Sequence, residues 1–275
     1  VSAANNDDQI IVCSGSYNEN PIDVNKVLDI RSYDGASETF VNAVSGDIFQ
    51  VSSSAVNITA LTLKGANNTG AAAIRLSGSN NNIKDNVIDS NYHGIVISSS
   101  NNTVINNAVM RSTSSGTLLT PTTHDNNILL NTFINNSKGV LSVSAPRNLI
   151  STNIFTGNQM AIDLSNITNS TIDNNLLSSN NIGIELRTAT SLNNISSNVL
   201  SNNTIGIRFS SSNNDNNLLE NNVISDSTEY GIWHGYSNKN LIKNNNIENN
   251  KIDGIHLLSS TNNTIIDNLI FNNSA

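Results

Sequence analysis

The chain has 275 residues, of which 37% are hydrophobic and only 12% are charged, while about a fifth are asparagine. Its net charge of −8 argues against nucleic acid and against an anionic membrane surface as partners, because both require a basic protein face. No apolar run approaches the length of a membrane span, so we expect no insertion into a bilayer.

The first 72 residues contain apolar segments that recur irregularly. The chain begins at Val1 and shows no signal peptide, which predicts a mature protein that is secreted or displayed on a cell surface. The single cysteine, Cys13, excludes an internal disulfide and is expected to be a small buried residue, with an intermolecular bridge as the alternative. Alternating apolar and polar residues at positions 28–30, 48–51 and 58–63 predict the first strands.

From residue 73 onward, a segment of the type Gly-Ile-x-Leu returns nine times, at intervals of 21 to 25 residues. The copies begin at Ala73, Gly94, Gly116, Gly139, Ala161, Gly183, Gly206, Gly231 and Gly254. A second pattern runs in register with them and places an asparagine two residues before an apolar residue. Its asparagines are Asn86, Asn107, Asn131, Asn153, Asn175, Asn198, Asn222, Asn245 and Asn268.

Both patterns predict short strands separated by turns, because alternation buries one strand face and Asn and Ser favour turns. We therefore predict an all-β, right-handed, single-stranded parallel β-helix, a pectin-lyase-like solenoid of about 11 coils of roughly 22 residues. One domain is expected over residues 1–275, with irregular coils at 1–72 and regular coils at 73–275. The nine asparagines should stack into a hydrogen-bonded ladder.

Residues 10–20, with the segments 22–24 and 28–30, resemble the start of the carbohydrate-binding and sugar-hydrolase type of β-helix. That group includes the NosD-like periplasmic copper-binding proteins. The asparagine-rich coils also resemble the β-helix surface proteins of methanogenic archaea. The resemblance implies the fold and an extracellular or cell-surface location, but the same coil serves lyases, hydrolases, binders and structural proteins.

The outward position of the Gly-Ile-x-Leu strand gives the first candidate site. This column is predicted to hold Arg75, Val96, Leu118, Leu141, Asp163, Glu185, Arg208, Trp233 and His256. Asp163 and Glu185 should stack one coil apart, with Arg187 and Arg208 beside them. Such a pair could serve a retaining glycosidase, or a lyase with arginine as base or clamp. The alternative is an exposed ladder of opposite charges, which lowers repulsion between strands.

A second candidate is the aromatic segment at residues 229–236, followed by His256 one coil later. Tyr230, Trp233, Tyr236 and His256 could form a glycan platform, a contact surface for another subunit, or only local packing. The histidines and methionines are scattered over many coils, so we expect no metal site and no cofactor.

Ten Asn-x-Ser/Thr sequons are possible sites of N-glycosylation, although an Asn-, Ser- and Thr-rich chain yields about that many by chance. They lie at Asn57, Asn67, Asn101, Asn135, Asn166, Asn169, Asn194, Asn202, Asn262 and Asn272.

For function, the sequence favours a structural protein over an enzyme. The predicted partner is a second copy of the chain, joined end to end or side by side into an extracellular filament, sheath or surface layer. The alternative is a polysaccharide-binding module, or a polysaccharide lyase or glycoside hydrolase, acting along the outward strand face.

Overall fold

The computed structural model describes residues 1–274 as three parallel sheets wound around one core. Sheet A contains β1 (Asp8–Val12), β4 (Leu28–Ser32), β7 (Asn57–Thr59), β10 (Asn82–Lys84), β13 (Thr103–Ile105), β16 (Asn127–Leu129), β19 (Leu149–Ser151), β22 (Thr171–Asp173), β25 (Asn194–Ser196), β28 (Leu218–Glu220), β31 (Leu241–Lys243) and β34 (Thr264–Ile266).

Sheet B contains β2 (Gly15–Glu19), β5 (Thr39–Ala43), β8 (Thr62–Lys64), β11 (Val87–Asp89), β14 (Ala108–Met110), β17 (Thr132–Ile134), β20 (Ile154–Thr156), β23 (Leu176–Ser178), β26 (Val199–Ser201), β29 (Val223–Ser225), β32 (Asn246–Glu248) and β35 (Leu269–Phe271). Sheet C contains β3 (Ile22–Val24), β6 (Phe49–Val51), β9 (Ala72–Leu76), β12 (His93–Ile97), β15 (Ser115–Leu119), β18 (Lys138–Val143), β21 (Met160–Ser165), β24 (Ile182–Arg187), β27 (Ile205–Phe209), β30 (Tyr230–Gly235) and β33 (Ile255–Leu258).

Each strand pairs in parallel with the strand three positions later in the chain, so one coil contributes one strand to each sheet. This arrangement confirms the predicted all-β parallel β-helix of about 11 coils. At a strand spacing of about 4.8 Å, the rod is roughly 50 Å long. No helix within residues 1–274 is long and apolar enough to cross a membrane. Cys13 is exposed, so its predicted burial is wrong.

Aliphatic side chains fill the interior as rows that run along the rod. In sheet A, for example, Ile128, Ile150 and Ile172 occupy one register position in successive coils and are buried. In sheet B the rings of Phe133 and Phe155 stack in parallel, with centroids 4.8 Å apart. The repeat therefore builds its core from like side chains packing on like side chains.

In sheet C, the first residue of each Gly-Ile-x-Leu segment lies so close to the core and to the next coil that it has little room for a side chain. A Cβ atom at Gly116 would lie 2.6 Å from the carbonyl oxygen of Gly139 and 2.8 Å from Cδ1 of Phe133. The glycine that opens most copies of the Gly-Ile-x-Leu segment is therefore a packing requirement.

Each regular coil turns at three corners, and each corner holds a polar side chain that is buried in every coil but the last. The corner between sheets A and B holds the nine asparagines from Asn86 to Asn268 that the repeat pattern predicted to stack. The other corners hold rows from Asn81 to Asn263 and from Asn91 to Asn273, in which serine stands at Ser112, Ser170 and Ser227. The three rows are five residues apart in the sequence of each coil.

Asn131 shows how one such side chain ties three coils together. Its amide group donates to the carbonyl oxygen of Val104 in the preceding coil at 2.9 Å and to Oδ1 of Asn153 in the following coil at 3.1 Å. The same oxygen of Asn153 accepts the backbone N–H of Asn131 at 2.9 Å. An unpaired backbone group in a buried turn is costly, so the corner asparagines satisfy groups that the tight turns leave open.

The residue before each corner asparagine adopts a left-handed conformation, as at Asn106 (φ 54°) and Asn221 (φ 56°). Asparagine tolerates this region better than most residues. A left-handed Asn followed by a corner residue and a Ser or Thr forms a sequon, which accounts for the sequons at Asn101, Asn135, Asn169, Asn202, Asn262 and Asn272. None of the ten sequon asparagines is buried.

We predict that Asn175→Ala lowers the free energy of unfolding by about 2–4 kcal/mol, because buried polar groups lose their partners. In the folded protein, Asn175 donates to the carbonyl of Ile150 at 2.9 Å and accepts from the backbone N–H of Asn153 at 2.9 Å. Denaturant unfolding measures the change. Asn181→Ala, at an exposed site in the same coil, should stay within about 0.5 kcal/mol of the wild type. Equal losses for the two variants would contradict the role given to the ladder.

Candidate functional site

The outward positions of sheet C form one continuous column along the rod. Strand pairing places in register Asp23, Gln50, Arg75, Val96, Leu118, Leu141, Asp163, Glu185, Arg208, Trp233 and His256. The column predicted from the repeat is confirmed from Arg75 to His256. Asp23 and Gln50 extend it, and sequence reasoning missed them because the early coils lack the regular motif.

Asp163 lies under two basic side chains. The Arg187 guanidinium donates to both of its carboxylate oxygens, with distances of 2.8 Å from Nε and 2.6 Å from Nη2. Nζ of Lys138 lies 2.9 Å from Oδ2. The Asp163 side chain has no solvent exposure, whereas those of Lys138 and Arg187 are 25% and 34% exposed. Solvent therefore meets the cations, and the carboxylate lies beneath them.

Glu185 follows one coil later in a similar arrangement. Nε of Arg208 donates to its Oε2 at 2.5 Å, while the buried Oε1 has no hydrogen-bond partner among the described residues. Burial raises the pKa of the Glu185 carboxyl above its usual value, and the charge of Asp163 acts in the same direction. Hydrogen bonds from Arg208 and Ser210 oppose this increase without cancelling it.

These contacts define a basic strip on sheet C, consisting of Lys138, Arg187 and Arg208. Its three cations cover two buried carboxylates, which leaves an excess of one positive charge on a protein whose net charge is −8. Lys138 was not predicted, because it lies just before the Gly-Val copy of the motif. The pairing confirms that Asp163 and Glu185 stack one coil apart. The alternative of an exposed charge ladder is wrong in one respect, because both carboxylates are buried.

Burial limits what the two carboxylates can do chemically. A general acid, a general base or a nucleophile must reach the reacting group of its substrate within hydrogen-bond distance. Asp163 and Glu185 have no exposed surface, and the side chains of Arg187 and Arg208 lie against them. The arrangement can therefore present guanidinium and ammonium donors to a ligand, while the carboxylates hold those donors in place.

The aromatic segment continues the same face. Trp233 neighbours Arg208 in the preceding coil and His256 in the following one. A Cβ atom at Gly235 would lie 2.4 Å from Cη2 of Trp233, so the indole covers the backbone at this glycine. A glycine two positions after Trp233 thus lets the ring lie against the sheet with its other side half-exposed.

The other aromatic candidates divide between the face and the turn. The rings of Tyr230 and His256 lie 5.1 Å apart, and Nδ1 of His256 lies 2.6 Å from Oδ2 of Asp253. Tyr236 lies beyond the strand in the following turn, where it is 48% exposed with a φ of 54°. The structure therefore groups Tyr230, Trp233 and His256 on one face and separates Tyr236 from them.

His234 points into the core, in a row with Leu186, Phe209 and Leu257. Its Nε2 accepts from Nδ2 of Asn240 at 3.0 Å, which leaves the proton on Nδ1, 3.1 Å from Oγ of Ser260. Burial lowers the pKa of His234 to about 4.

His93 is also buried, with its Nδ1 2.7 Å from Oγ of Ser115. Burial and the charge of Arg75 lower its pKa to about 4, although the charge of Asp47 opposes the shift.

Two family models match the chain. One described as right handed beta helix region matches residues 127–271, and one described as periplasmic copper-binding protein (NosD) matches residues 2–190. The first match confirms the predicted right-handed winding. None of the curated proteins matches the chain.

Several solved structures share the fold at low sequence identity. A periplasmic alginate epimerase, AlgG, is 13% identical, with a TM-score of 0.63 over 95% of this chain and 73% of that one. A mannuronic acid-specific polysaccharide family 6 lyase from human gut microbiota is 14% identical, with a TM-score of 0.66 over 98% and 78%. The Agl-KA catalytic domain is 11% identical, with a TM-score of 0.71 over 95% and 62%. At these identities the likeness concerns the fold alone.

The residues of this chain do not fit a copper site. Copper is held by converging His, Met or Cys side chains. Within residues 1–274, no three His, Cys, Asp or Glu side chains converge in a way that could hold a metal ion. Met110 and Met160 lie in different sheets, and Cys13 belongs to the first coil.

We predict that the pH dependence of stability is less steep in His234→Leu than in the wild type. The folded His234 has a pKa of about 4 against an ordinary 6.5, so between these values the unfolded chain binds the proton first and stability falls as pH drops. Leucine suits the row and cannot titrate. Relative to the wild type, His234→Leu should therefore gain about 2 kcal/mol of stability from pH 7 to pH 4.5.

Equilibrium unfolding at both pH values measures this effect. His124→Leu is the control, because His124 lies on an exposed turn beside Asp125. Glu185 has a raised pKa and acts in the opposite direction, but it is common to all three proteins and cancels in the comparison. Parallel pH curves for the wild type and His234→Leu would contradict the prediction.

We also predict that excess copper leaves the melting temperature unchanged, because a ligand stabilises a fold only by binding its folded state. Thermal unfolding with Cu(I), with Cu(II) and with a chelator measures this. Cys13→Ser serves as a control for binding to the exposed thiol. A copper-dependent rise of several degrees that persists in Cys13→Ser would overturn the prediction.

Proposed function

We propose that this chain, which belongs to the NosD family of right-handed β-helix proteins, binds a polysaccharide. Binding takes place along the outward face of sheet C, outside the cytoplasm. One observation carries the proposal. The basic strip of Lys138, Arg187 and Arg208 lies on the same face as the indole of Trp233, with Arg208 and Trp233 paired in register on adjacent strands.

The indole supplies the contact for a sugar ring. Aromatic side chains offer a large, rigid apolar surface, and the C–H face of a pyranose packs on such a surface. The ring of Trp233 lies against the backbone at Gly235, so its outer face is open to a ligand. Tyr230 and His256 flank this position and add polar atoms at its edge.

The basic strip supplies donors for acidic groups of the polymer. Only Nε of Arg208 bonds to Glu185, so the terminal nitrogens of that guanidinium stay available to a ligand. Arginine and carboxylate match in geometry and form strong, charge-assisted bonds. The buried carboxylates fix the cations, which reduces the ordering that binding would otherwise require. Acidic polysaccharides are therefore the ligands that this face suits best.

The comparisons support this proposal more than the predicted filament. Two of the three solved structures described above are named for an alginate epimerase and for a mannuronic acid-specific lyase. Both proteins act on polysaccharides with a fold of this kind, and the epimerase is periplasmic by name. Self-assembly into a filament, sheath or surface layer stays a prediction. Binding is favoured over lyase or hydrolase activity because Asp163 and Glu185 are buried under their arginines.

We predict that the wild type binds alginate and that Trp233→Ala weakens binding about tenfold, since loss of one stacking contact costs on the order of 1.4 kcal/mol. Titration calorimetry measures the affinity. Binding to the basic strip should also weaken as salt is raised, because salt screens charges near the surface. A neutral glucan should bind more weakly than alginate.

Tyr33→Ala is the matched control, because Tyr33 is a strongly exposed aromatic residue that lies outside sheet C. Equal losses for the two variants, or no binding by the wild type, would refute the proposal. Release of shortened or unsaturated products by the wild type but not by Glu185→Gln would replace binding with a lyase or hydrolase function.

A further inference from the structure

The outward column of sheet C carries a second polar segment far from the first. Asp23, Gln50 and Arg75 occupy its first three positions, and Val96, Leu118 and Leu141 separate them from the basic strip. From Arg75 to Trp233 the column crosses seven strand spacings, or about 34 Å at 4.8 Å each. The two polar segments therefore lie on one line parallel to the axis of the rod.

A groove of about 430 Å³ opens at this second segment. Its polar lining consists of Asp23, Asn25, Gln50, Ser52, Arg75 and Ser77. Apart from Arg75, which is half-buried, these side chains are exposed. The groove thus offers carboxylate, amide, hydroxyl and guanidinium groups within one concave surface.

Arg75 is held rigidly at the floor of the groove. Its Nε and Nη2 donate to the two carboxylate oxygens of Asp47 at 2.8 and 3.0 Å, and Nη2 also donates to the carbonyl of Gly70 at 2.6 Å. Asp47 is itself fixed by the backbone N–H of Ala72 at 2.7 Å and by the amide of Gln50 at 3.2 Å. Within residues 1–274, no hydrogen bond occupies Nη1 of Arg75 or Oε1 of Gln50.

Asp47 remains an anion in this network. Its burial raises the pKa, but hydrogen bonds from Arg75 and Ala72 more than offset this effect, so the net shift is downward. Among the residues that line the groove, Asp23 and Arg75 carry charge, and the buried Asp47 behind Arg75 adds a second carboxylate. Recognition here depends on the placement of donors and acceptors rather than on net charge.

We propose that this groove is a second subsite for the same polysaccharide, and that it binds a sugar unit through its ring hydroxyls. The fixed guanidinium of Arg75 and amide of Gln50, together with the exposed carboxylate of Asp23, match adjacent hydroxyls, which each donate and accept. The inference rests on the proposed function, because it assumes that the ligand also occupies Trp233. A polymer chain running along sheet C can reach both subsites, whereas a short oligosaccharide reaches one.

Linking two subsites through one ligand raises the overall affinity without any new contact, by a factor set by effective concentration. Alginate chains longer than the distance between the subsites should therefore bind at least tenfold more tightly than an alginate tetrasaccharide. Asp23→Ala should remove most of this gain while leaving the affinity of the tetrasaccharide for the Trp233 subsite unchanged. Because the groove carries no excess positive charge and binds through hydroxyl groups, its contribution should also persist at high salt.

The experiment is titration of the wild type, Asp23→Ala and Trp233→Ala with both ligands. Asp23 is exposed and makes no ion pair among the described residues, so its replacement should not disturb the fold. Glu38→Ala is the matched control, as Glu38 is an exposed carboxylate in the segment between β4 and β5. In NMR spectra, the side-chain amide signals of Asn25 and Gln50 should shift with long chains.

The outcomes separate the two proposals. If the wild type binds the tetrasaccharide but gains nothing from chain length, the second subsite is wrong and the proposed function stands. The subsite is likewise wrong if Asp23→Ala keeps the full gain and the amide signals of Asn25 and Gln50 stay in place. If neither ligand binds at all, the proposed function fails and the subsite fails with it.

Discussion

The hydrogen bonding of buried asparagine side chains at the corners is the interaction on which the rest of the molecule depends. A coil that turns three times within about 23 residues leaves backbone N–H and carbonyl groups inside its turns, away from water. At the corner between sheets A and B, Asn131 and its equivalents satisfy these groups and connect each coil to both neighbours. Without these side chains the turns would have to open to water or lengthen.

This bonding also determines which positions are free for function. The corner rows and the inward rows are occupied by structural requirements, and so are the left-handed positions before each corner. The outward positions of the strands carry no such requirement, and in sheet C they form an uninterrupted line. This line contains residues that the repeat does not require, including Trp233 and the buried pair Asp163 and Glu185.

The repeat made the fold predictable, because both motifs return at nearly constant spacing and each has a direct physical meaning. One asparagine row was recognised and two were missed, although the five-residue interval between Asn126, Asn131 and Asn136 is visible in the sequence. The outward column followed from strand alternation alone. The burial of Asp163 and Glu185 did not, since it depends on how the long side chains of Arg187 and Arg208 fold back over the sheet.

Other features of the face could not be read from the pattern for equally local reasons. Lys138 comes to Asp163 from one coil earlier and lies three residues before Leu141, which pairs with Asp163, and no spacing rule identifies such a contact. Asp23 and Gln50 lie in coils whose motif is degenerate. His234 occupies an inward position that holds leucine or phenylalanine in neighbouring coils, and only its bonds to Asn240 and Ser260 explain how the core accepts it.

The outward face of sheet C differs from an active site in which carboxylates meet the substrate, because its carboxylates Asp163 and Glu185 are buried. An enzyme of this fold would need a reactive group that meets the substrate, together with neighbours that adjust its pKa. Here the group with the raised pKa, Glu185, lies in the outward column but is covered by Arg208, and its unpartnered Oε1 is shielded from any ligand on the face. The carboxylates therefore act as fixed counter-charges that hold the cations in position. Donors held in fixed positions along several coils of one face are suited to a ligand that is itself an extended chain, and a polysaccharide is such a ligand.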